Sequence, residues 1–517
     1  MIAVGWNLGP VVRTCRTRAF GQEPAKPWYT QFFHEAGAAG NVFPLLSYPM
    51  VTRPALEQAT IAIIGAGPTG LGAAHRLHEL GFSNFTVFER EHQAGGLASS
   101  FVDANGFTWD IGGHVQFSHY PYFDALMDKL LRNEWLHHER AAWIWMRNSF
   151  IPYPFQNNIR HLPTEEMKDC LRGLIACVTN PSVSPSTNFE EFIRRSFGEG
   201  IARHFMLPYN FKAWAYAPSQ LSYQWIGERV ARVDLERVIF NIVEKRDDIG
   251  WGPNKLFRFP MYGGTGEIWR RLARCIPSGR LAYGKSLVHL NTEKKQLTFS
   301  DGSKQGYDIL ISTMPMDLLV QQSDVDRLKP VVARLRRSST NVIGIGLKGS
   351  PGPHLAKKCW MYFPEPATPF YRATVFSNYS PKNVPDSTRF WSLLLEVSES
   401  PVKPVAQDRI IEQAVAGLLS ARLIDSETDI VSVWHYRADH GYPTPSITRD
   451  EVLSVVLPEL ERREVYSRGR FGAWKYEVSN QDHSLMQGVE LVNRLAAGRE
   501  EVTLHNPALV NAAAAGS

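Results

Sequence analysis

Hydrophobic and polar positions along this chain change period in blocks, and each block predicts a different element. Residues 61–64 are an all-apolar run that ends on glycines and gives way to an Ala/Leu-rich stretch of helical spacing. That is the pattern of a strand, a tight turn and a helix. A second short strand, Thr86-Val-Phe88, follows, and 121–131 repeats apolar residues at the spacing of a short amphipathic helix. The runs 143–146 and 150–153 suggest a hairpin, and the prolines in 152–158 keep the next residues extended. From 164 to 245 the period turns helical. Thr187 and Glu190 form a capping box opening a helix over 189–197. Ile226, Val230 and Val233, then Val238, Ile239 and Ile242, mark one face of longer helical pieces. Gly250-Trp-Gly-Pro-Asn254 ends this block, and 257–266 returns the chain to the first one. Strands are expected at 287–290, 296–299 and 307–312, with a turn at Asp301-Gly302. Four more, at 342–347, 360–363, 390–397 and 430–436, imply a mostly antiparallel sheet interrupted by one helix over 409–423. A glycine-rich loop and helix close the pattern over 468–496. No internal repeat appears, and low complexity is confined to the final alanines.

The first block carries chemistry. In Gly65-Ala-Gly67-Pro-Thr69-Gly70, Gly65 allows the turn, Gly67 lets backbone approach a pyrophosphate and Gly70 lets helix and strand pack closely. The helix N-terminus then offers unpaired N–H groups to the phosphates. Glu89 closes the next strand at the distance expected of a ribose ligand. This much leaves FAD and NAD open. A second close-approach pair, Gly95-Gly96 with Leu97, favours FAD, because such a pair packs along the cofactor diphosphate in two-dinucleotide-fold flavoproteins. A third, Gly112-Gly113-His114, is placed where backbone can pass an isoalloxazine. The fold class expected is therefore α/β: an FAD-binding Rossmann-like domain with an inserted helical domain and a mostly antiparallel β-sheet substrate domain. The FAD domain is assigned 60–135, 257–315 and 439–517. The sheet domain takes 136–160 and 316–438, and the helical domain 161–256, with 1–59 as an N-terminal extension.

Composition narrows the class further. The 517 residues suffice for two or three domains, and the net charge of +5 is spread along the chain with no basic block, which speaks against a nucleic-acid partner. Five cysteines, Cys15, Cys170, Cys177, Cys275 and Cys359, are an odd number without C-x-x-C spacing. They read as free thiols in a reducing, cytoplasmic setting, with no metal site. No apolar run reaches the ~18 residues of a membrane span. The first 22 residues hold no acid but have Arg13, Arg16 and Arg18, as transit peptides do, while Gly5, Gly9 and Pro10 spoil the amphipathic helix such a peptide needs. A poorly ordered or loosely packed extension is the expectation.

Neither H-E-x-x-H nor G-x-S-x-G occurs. What stands out is the density of polar aromatics: Tyr153 with Phe155 and Gln156, Tyr209-Asn210 with Trp214, Trp360 with Tyr362, Tyr371-Arg372, Tyr379, Tyr442 and Tyr476. Taken singly each tyrosine is more often core than ligand, and His114 more often a structural histidine.

The longer motifs change that balance. Gly112-Gly-His-Val-Gln-Phe-Ser-His119, Pro152-Tyr-Pro-Phe-Gln-Asn-Asn158, Pro208-Tyr-Asn-Phe-Lys-Ala-Trp214, Gly227-Glu-Arg-Val230, Trp251-Gly-Pro-Asn254, Cys359-Trp-Met-Tyr-Phe-Pro364, Asp439-His-Gly-Tyr-Pro-Thr-Pro445 and Ser467-Arg-Gly-Arg-Phe-Gly472 resemble the eukaryotic-type UDP-galactopyranose mutases. The resemblance runs from about residue 60 to the C-terminus. It departs from the pattern at Leu207, where a basic residue is expected, and in the N-terminal extension.

The resemblance implies an isomerase that interconverts UDP-galactopyranose and UDP-galactofuranose for glycoconjugate synthesis, with no net redox. It implies reduced FAD, with NADPH or NADH as candidate reductant, whose N5 forms an adduct with galactose while UDP leaves and returns. His114, Arg229 and Arg372 become the catalytic candidates. Gly65, Gly67, Thr69, Gly70, Glu89, Arg90, Gly96, Leu97, Ala98, Gly112, Gly113 and His114 would hold the cofactor, together with Leu287, Arg470, Asn480, Gln481 and Ser484. Tyr153, Phe155 and Gln156 would hold the uracil with Asn210 and Trp214 alongside. Arg229, Arg372, Tyr362, Tyr379, Tyr442 and Tyr476 would bind the diphosphate, with Phe117, Trp360 and Asn480 nearby. Arg229 and Asn254 would ride on loops closing over UDP. The competing readings are an amine-oxidase-like FAD oxidoreductase, which needs an apolar pocket, and a catalytically dead nucleotide-sugar binder, which would lack His114 or an arginine.

Overall fold

The computed structural model describes residues 53–181, 184–231, 233–249, 252 and 255–513. The apolar run Ile61–Ile64 lies at the centre of a five-stranded parallel sheet, flanked by Ile309–Ser312 and Phe85–Phe88, with Val465–Ser467 and Leu281–Ala282 at the edges. Its side chains alternate between two buried layers. Ile61 and Ile63 pack with Leu71, Ala74 and Leu77 of the helix Pro68–Glu79, while Ala62 and Ile64 pack with Phe88, Leu297 and Leu310. Burial on both faces explains why this strand shows no polar alternation.

The long helix Gln481–Ala497 crosses the first helix so closely that a Cβ on Gly488 would collide with the Thr69 carbonyl. Of the segment 1–59, residues 1–52 lie outside the described residues, Cys15 among them. The helix Arg53–Gln58 packs Leu56 into the same core as Ile61. Cys170, Cys177, Cys275 and Cys359 are free thiols. No described helix is long and apolar enough to cross a membrane.

A seven-stranded sheet carries the other side of the molecule. Its order is Ile430–Thr444, Arg336–Lys348, Phe390–Glu399, Arg372–Val375, Trp360–Tyr362, Ala142–Met146 and Ser149–Pro152. Every pairing is antiparallel except Trp360–Tyr362 with Ala142–Met146. The strand expected to stop at 436 runs on to Thr444, because its register with Arg336–Lys348 continues through Tyr442 opposite Ser338. That extension delivers Tyr442 to the site.

The helical block differs from expectation at two points. Its second helix, Phe189–Ile201, is capped by Asn188, whose side-chain oxygen accepts from Glu191 N, while Thr187 N donates to the Glu191 carboxylate. The cap is therefore shifted by one residue, asparagine being at least as good a cap as threonine. Second, Ile226, Val230 and Val233 do not share a helix. Gly227 takes φ +44°, only a short 3₁₀ turn Gly227–Arg229 forms, and the next helix, Leu235–Val243, starts on its own cap, Asp234.

Candidate active site

Both sheets and the helical block open onto one cavity of about 1380 Å³. A single small ligand needs roughly 300–1,000 Å³, so two molecules fit end to end.

One end is built by the first turn. Gly65 adopts φ +100°, and a Cβ on Gly70 would collide with the Gly65 carbonyl oxygen, so Gly70 shapes the turn from behind and does not line the cavity. Gly67 faces the second glycine pair across the opening: the atoms nearest a Cβ there would be Gly95 O and Gly96 Cα, at 3.8 and 3.9 Å. The helix that follows starts on Pro68 with no side-chain cap, leaving its first N–H groups to the cavity. Glu89 accepts from Ala66 N at 2.7 Å and Glu91 N at 2.9 Å, which ties the turn to the next strand while keeping Glu89 on the wall. Thr69, Arg90, Gly96, Leu97, Ala98 and Leu287 complete this end. An open helix N-terminus, facing glycines and a wall carboxylate suit a dinucleotide, and FAD fits these residues.

In the middle, Glu396 organises three groups that no local sequence rule connects. It is 2% exposed. It accepts from Gly113 N at 3.0 Å, from Tyr371 Oη at 2.5 Å and from Arg372 Nε and Nη2 at 2.8 and 2.6 Å. Burial pushes its carboxyl up, but the Arg372 charge and these donors outweigh it and hold the group below its ordinary value. A Cβ on Gly113 would stand 2.9 Å from Thr374 Oγ1, so only glycine brings this backbone so near the carboxylate. His114 follows. Burial lowers its imidazole to about 4, with Glu396 opposing and Arg470 and Arg372 assisting, so the ring is neutral at pH 7.

The far end is an aromatic and cationic clamp. The Tyr153 and Tyr362 rings lie 5.3 Å apart, Tyr209 meets Tyr362 at 5.5 Å, and Trp214 meets Tyr476 at 4.7 Å and Tyr442 at 5.7 Å. Burial raises the hydroxyls of Tyr153, Tyr362 and Tyr476, keeping them as donors. Arg229 lies over Tyr476 at 5.5 Å, and both of its Nη atoms are buried without a hydrogen-bond partner. Arg470, over Tyr442 at 4.9 Å, spends its donors on Gly441 O and Ser479. Arg140 joins the wall above Tyr153 at 5.5 Å. Arg140, Arg229, Arg372 and Arg470 thus gather at this part of the cavity, and Glu396 is taken up by Arg372, an arrangement that attracts an anion.

Near Arg229, His119 Nδ1 bonds Asp482 at 2.7 Å, and its ring lies 4.5 Å from that of His483 in a tilted arrangement. The three offer ligand atoms within 4.8 Å of one another. Burial takes His483 down to about 3 and the Arg229 charge acts in the same direction, so this imidazole is neutral at pH 7.

Most of the residues singled out from sequence come together on this cavity, including Phe117, Gln156, Asn210, Trp360, Asn480, Gln481 and Ser484. Two more besides Gly70 do not. Phe155 is buried against Phe205 at 4.6 Å in the helical core, because the turn at Pro154 points it away from Gln156. Tyr379 is 0% exposed and packs on Phe257 and Phe259, one layer behind Trp360. The turn Phe376–Asn378 carries it under the sheet, so it does not reach the cavity as a phosphate donor. Asn254 lies outside the described residues. The cavity also takes in Gln116, Arg140, Tyr209, Tyr371 and Glu396, to which the sequence assigned no role. Tyr209 and Tyr371 stand out in the sequence as polar aromatics without a role, and Glu396 offers a further signal as a lone carboxylate inside the apolar run Leu393-Leu-Leu-Glu-Val397.

A dinucleotide turn on a parallel sheet, joined to an antiparallel substrate sheet, defines a flavoprotein of the amine-oxidase type. The family model described as flavin containing amine oxidoreductase matches residues 68–415, and the chain belongs to that family. Within it the chain belongs to the UDP-galactopyranose mutases. It is 51% identical to a crystal structure of reduced UDP-galactopyranose mutase, which superposes with a TM-score of 0.86 over 88% of this chain and 97% of that one. The α/β fold class and the family read from the motifs are thereby shown. A crystal structure of a putative protoporphyrinogen oxidase from Exiguobacterium sp. 255-15 shares the fold alone, at 17% identity and TM-score 0.65 over 84% of this chain and 98% of that one. Protoporphyrinogen oxidase 2, chloroplastic/mitochondrial, of Arabidopsis thaliana is 27% identical over 32% of this chain, which spans about a third (35%) of that relative's length.

Proposed function

We propose that this protein interconverts UDP-galactopyranose and UDP-galactofuranose, with FAD along the glycine turns and UDP in the aromatic clamp. The observation that carries the reading is Arg229: a guanidinium with both Nη atoms buried and unpartnered, set over Tyr476 and sharing the cavity with Arg372. A diphosphate supplies the missing partner. Bound reduced FAD supplies the nucleophile for the sugar, which accounts for a site without an activated Ser or Cys.

The chain's own residues do the rest. Tyr153 and Gln156 orient the uracil. Tyr362, Tyr442 and Tyr476 donate to phosphate oxygens. Arg229 and Arg372 meet the charge that grows on departing UDP, and Glu396 fixes Arg372 and the Gly113 backbone in one geometry. His114, neutral, can donate or accept without adding charge beside the cofactor. The arginine-lined cavity disfavours the amine-oxidase reading, whose substrates need an apolar pocket. NADPH or NADH as reductant and a cytoplasmic location complete the proposal, the latter in keeping with the four free thiols.

The test is to incubate dithionite-reduced and oxidised protein with UDP-galactofuranose and separate the products chromatographically. UDP-galactopyranose formed only by the reduced protein is expected. No conversion by FAD-loaded, reduced protein would refute the assignment.

A further inference from the structure

Beyond Gly498 the chain doubles back through two short helices, Val502–His505 and Pro507–Ala513, that the motifs leave without a role. Their polar contacts are not scattered. Glu501, fully buried, accepts from Arg468 Nε and Nη2 at 2.6 and 2.8 Å, at the root of the loop that carries Arg470 and Tyr476. Thr503 is held by both oxygens of Glu490 on the long helix, at 2.8 Å each. Lys475 Nζ donates to Leu504 O at 2.9 Å, and Asn511 Nδ2 donates to Glu477 O at 3.1 Å. Tyr476 is thus pinned on both sides, through Lys475 and Glu477, by the same strap.

The second helix of the strap also packs against the Gly227–Arg229 turn, where a Cβ on Gly227 would meet Asn511 Nδ2 at 4.0 Å. Asn511 is 5% exposed and does not line the cavity. From this juxtaposition we infer that the C-terminal strap sets the geometry of the diphosphate clamp, with Asn511 the positioning residue that holds Tyr476 and the Arg229 turn in mutual register. The inference rests on the UDP site proposed above.

A strap that only stabilised the fold would affect every ligand alike. One that positions Arg229 and Tyr476 affects the diphosphate alone, because the uracil is held by Tyr153 and Gln156 on other elements. The experiment is calorimetric titration of FAD-loaded, reduced protein with UDP and, separately, with uridine. Asn511→Ala should weaken UDP about tenfold, the order expected for one lost buried hydrogen bond. Uridine affinity and flavin content should stay within about twofold of the parent. Lys475→Met, which keeps the apolar stem but loses the bond to Leu504, should show the same selectivity and serves if the first variant does not fold. In an Arg229→Ala, Tyr476→Phe background, Asn511→Ala should add less than about twofold, since the groups it positions are gone. Equal losses for UDP and uridine, no loss for UDP, or full additivity in that background would overturn the inference. If Arg229→Ala alone left UDP binding unchanged, the UDP site itself would be misassigned and the inference would fall with it.

Discussion

Glu396→Gln isolates the group that joins the two halves of the cavity. The substitution keeps the shape but removes the charge that Arg372 meets through two nitrogens, and it weakens the acceptor for Tyr371 Oη and Gly113 N. Arg372 has 19% side-chain exposure, so solvent replaces little of the loss. Breaking a buried pair from one side costs about 3–5 kcal/mol. With 517 residues and ~2.1 cal/mol/K of unfolding entropy per residue, the whole chain carries about 1.1 kcal/mol/K, which makes the expected fall in Tm about 3–5 °C.

The effect has a definite pH sign. Glu396 is held below its ordinary value of 4.5 in the folded protein, so its contribution is complete above that pH and fades as pH falls towards the depressed folded value. The gap between parent and variant should therefore close on acidification below about pH 4.5 and stay constant from pH 6 to 8. UDP should restore part of the loss, because its diphosphate offers Arg372 a new anion. The assay is thermal unfolding of FAD-loaded protein at several pH values, with and without UDP. A variant within about 1 °C of the parent at pH 7, or a gap that widens in acid, would refute the reasoning.

Three further outcomes follow from the site. Arg229→Ala and Arg372→Ala should each lower kcat by about 10²–10³ in steady-state assays of reduced enzyme, whereas Tyr153→Ala should chiefly raise KM. Full kcat in either arginine variant would contradict their placement on the leaving UDP. Tyr379→Phe should leave kcat and KM within about twofold, since its hydroxyl is buried and off the cavity; a large fall in kcat/KM would restore it to the clamp. His114, lowered to about 4 by burial, should contribute no limb to the kcat/KM profile between about pH 5 and 8. A limb near pH 6.5 that disappears in His114→Ala would show a charged imidazole.

How far the sequence reveals all this depends on the range of the force at work. The nucleotide turn is legible because Gly65 and Gly70 answer to backbone sterics within six residues. The tyrosines and arginines are visible as residue types, but their orientation is not. Tyr379 and Phe155 sit in motifs as aromatic as those of Tyr362 and Tyr153, and turns at Phe376–Asn378 and Pro154 alone send them into cores. Glu396 binds Gly113 from 283 residues away, so no window of sequence could pair them. The polar end of the strand Ile430–Thr444 reads as a loop because its strand character comes from its partner's register, not from its own residues. The strap is hidden for a related reason: Glu501 and Asn511 look like surface residues until Arg468 and Glu477 are seen beneath them.

The central claim is that the clamp keeps hold of a UDP that leaves the sugar and comes back. Positional isotope exchange tests it most directly. UDP-galactopyranose labelled with heavy oxygen in the bond between galactose and the β-phosphate is incubated with reduced enzyme, recovered, and analysed by phosphorus NMR. The account predicts that label moves into the non-bridging β-phosphate oxygens, faster than any free UDP accumulates. Isomerised product with all label still in the bridge would contradict it, for then UDP does not part from the sugar and turn before it returns.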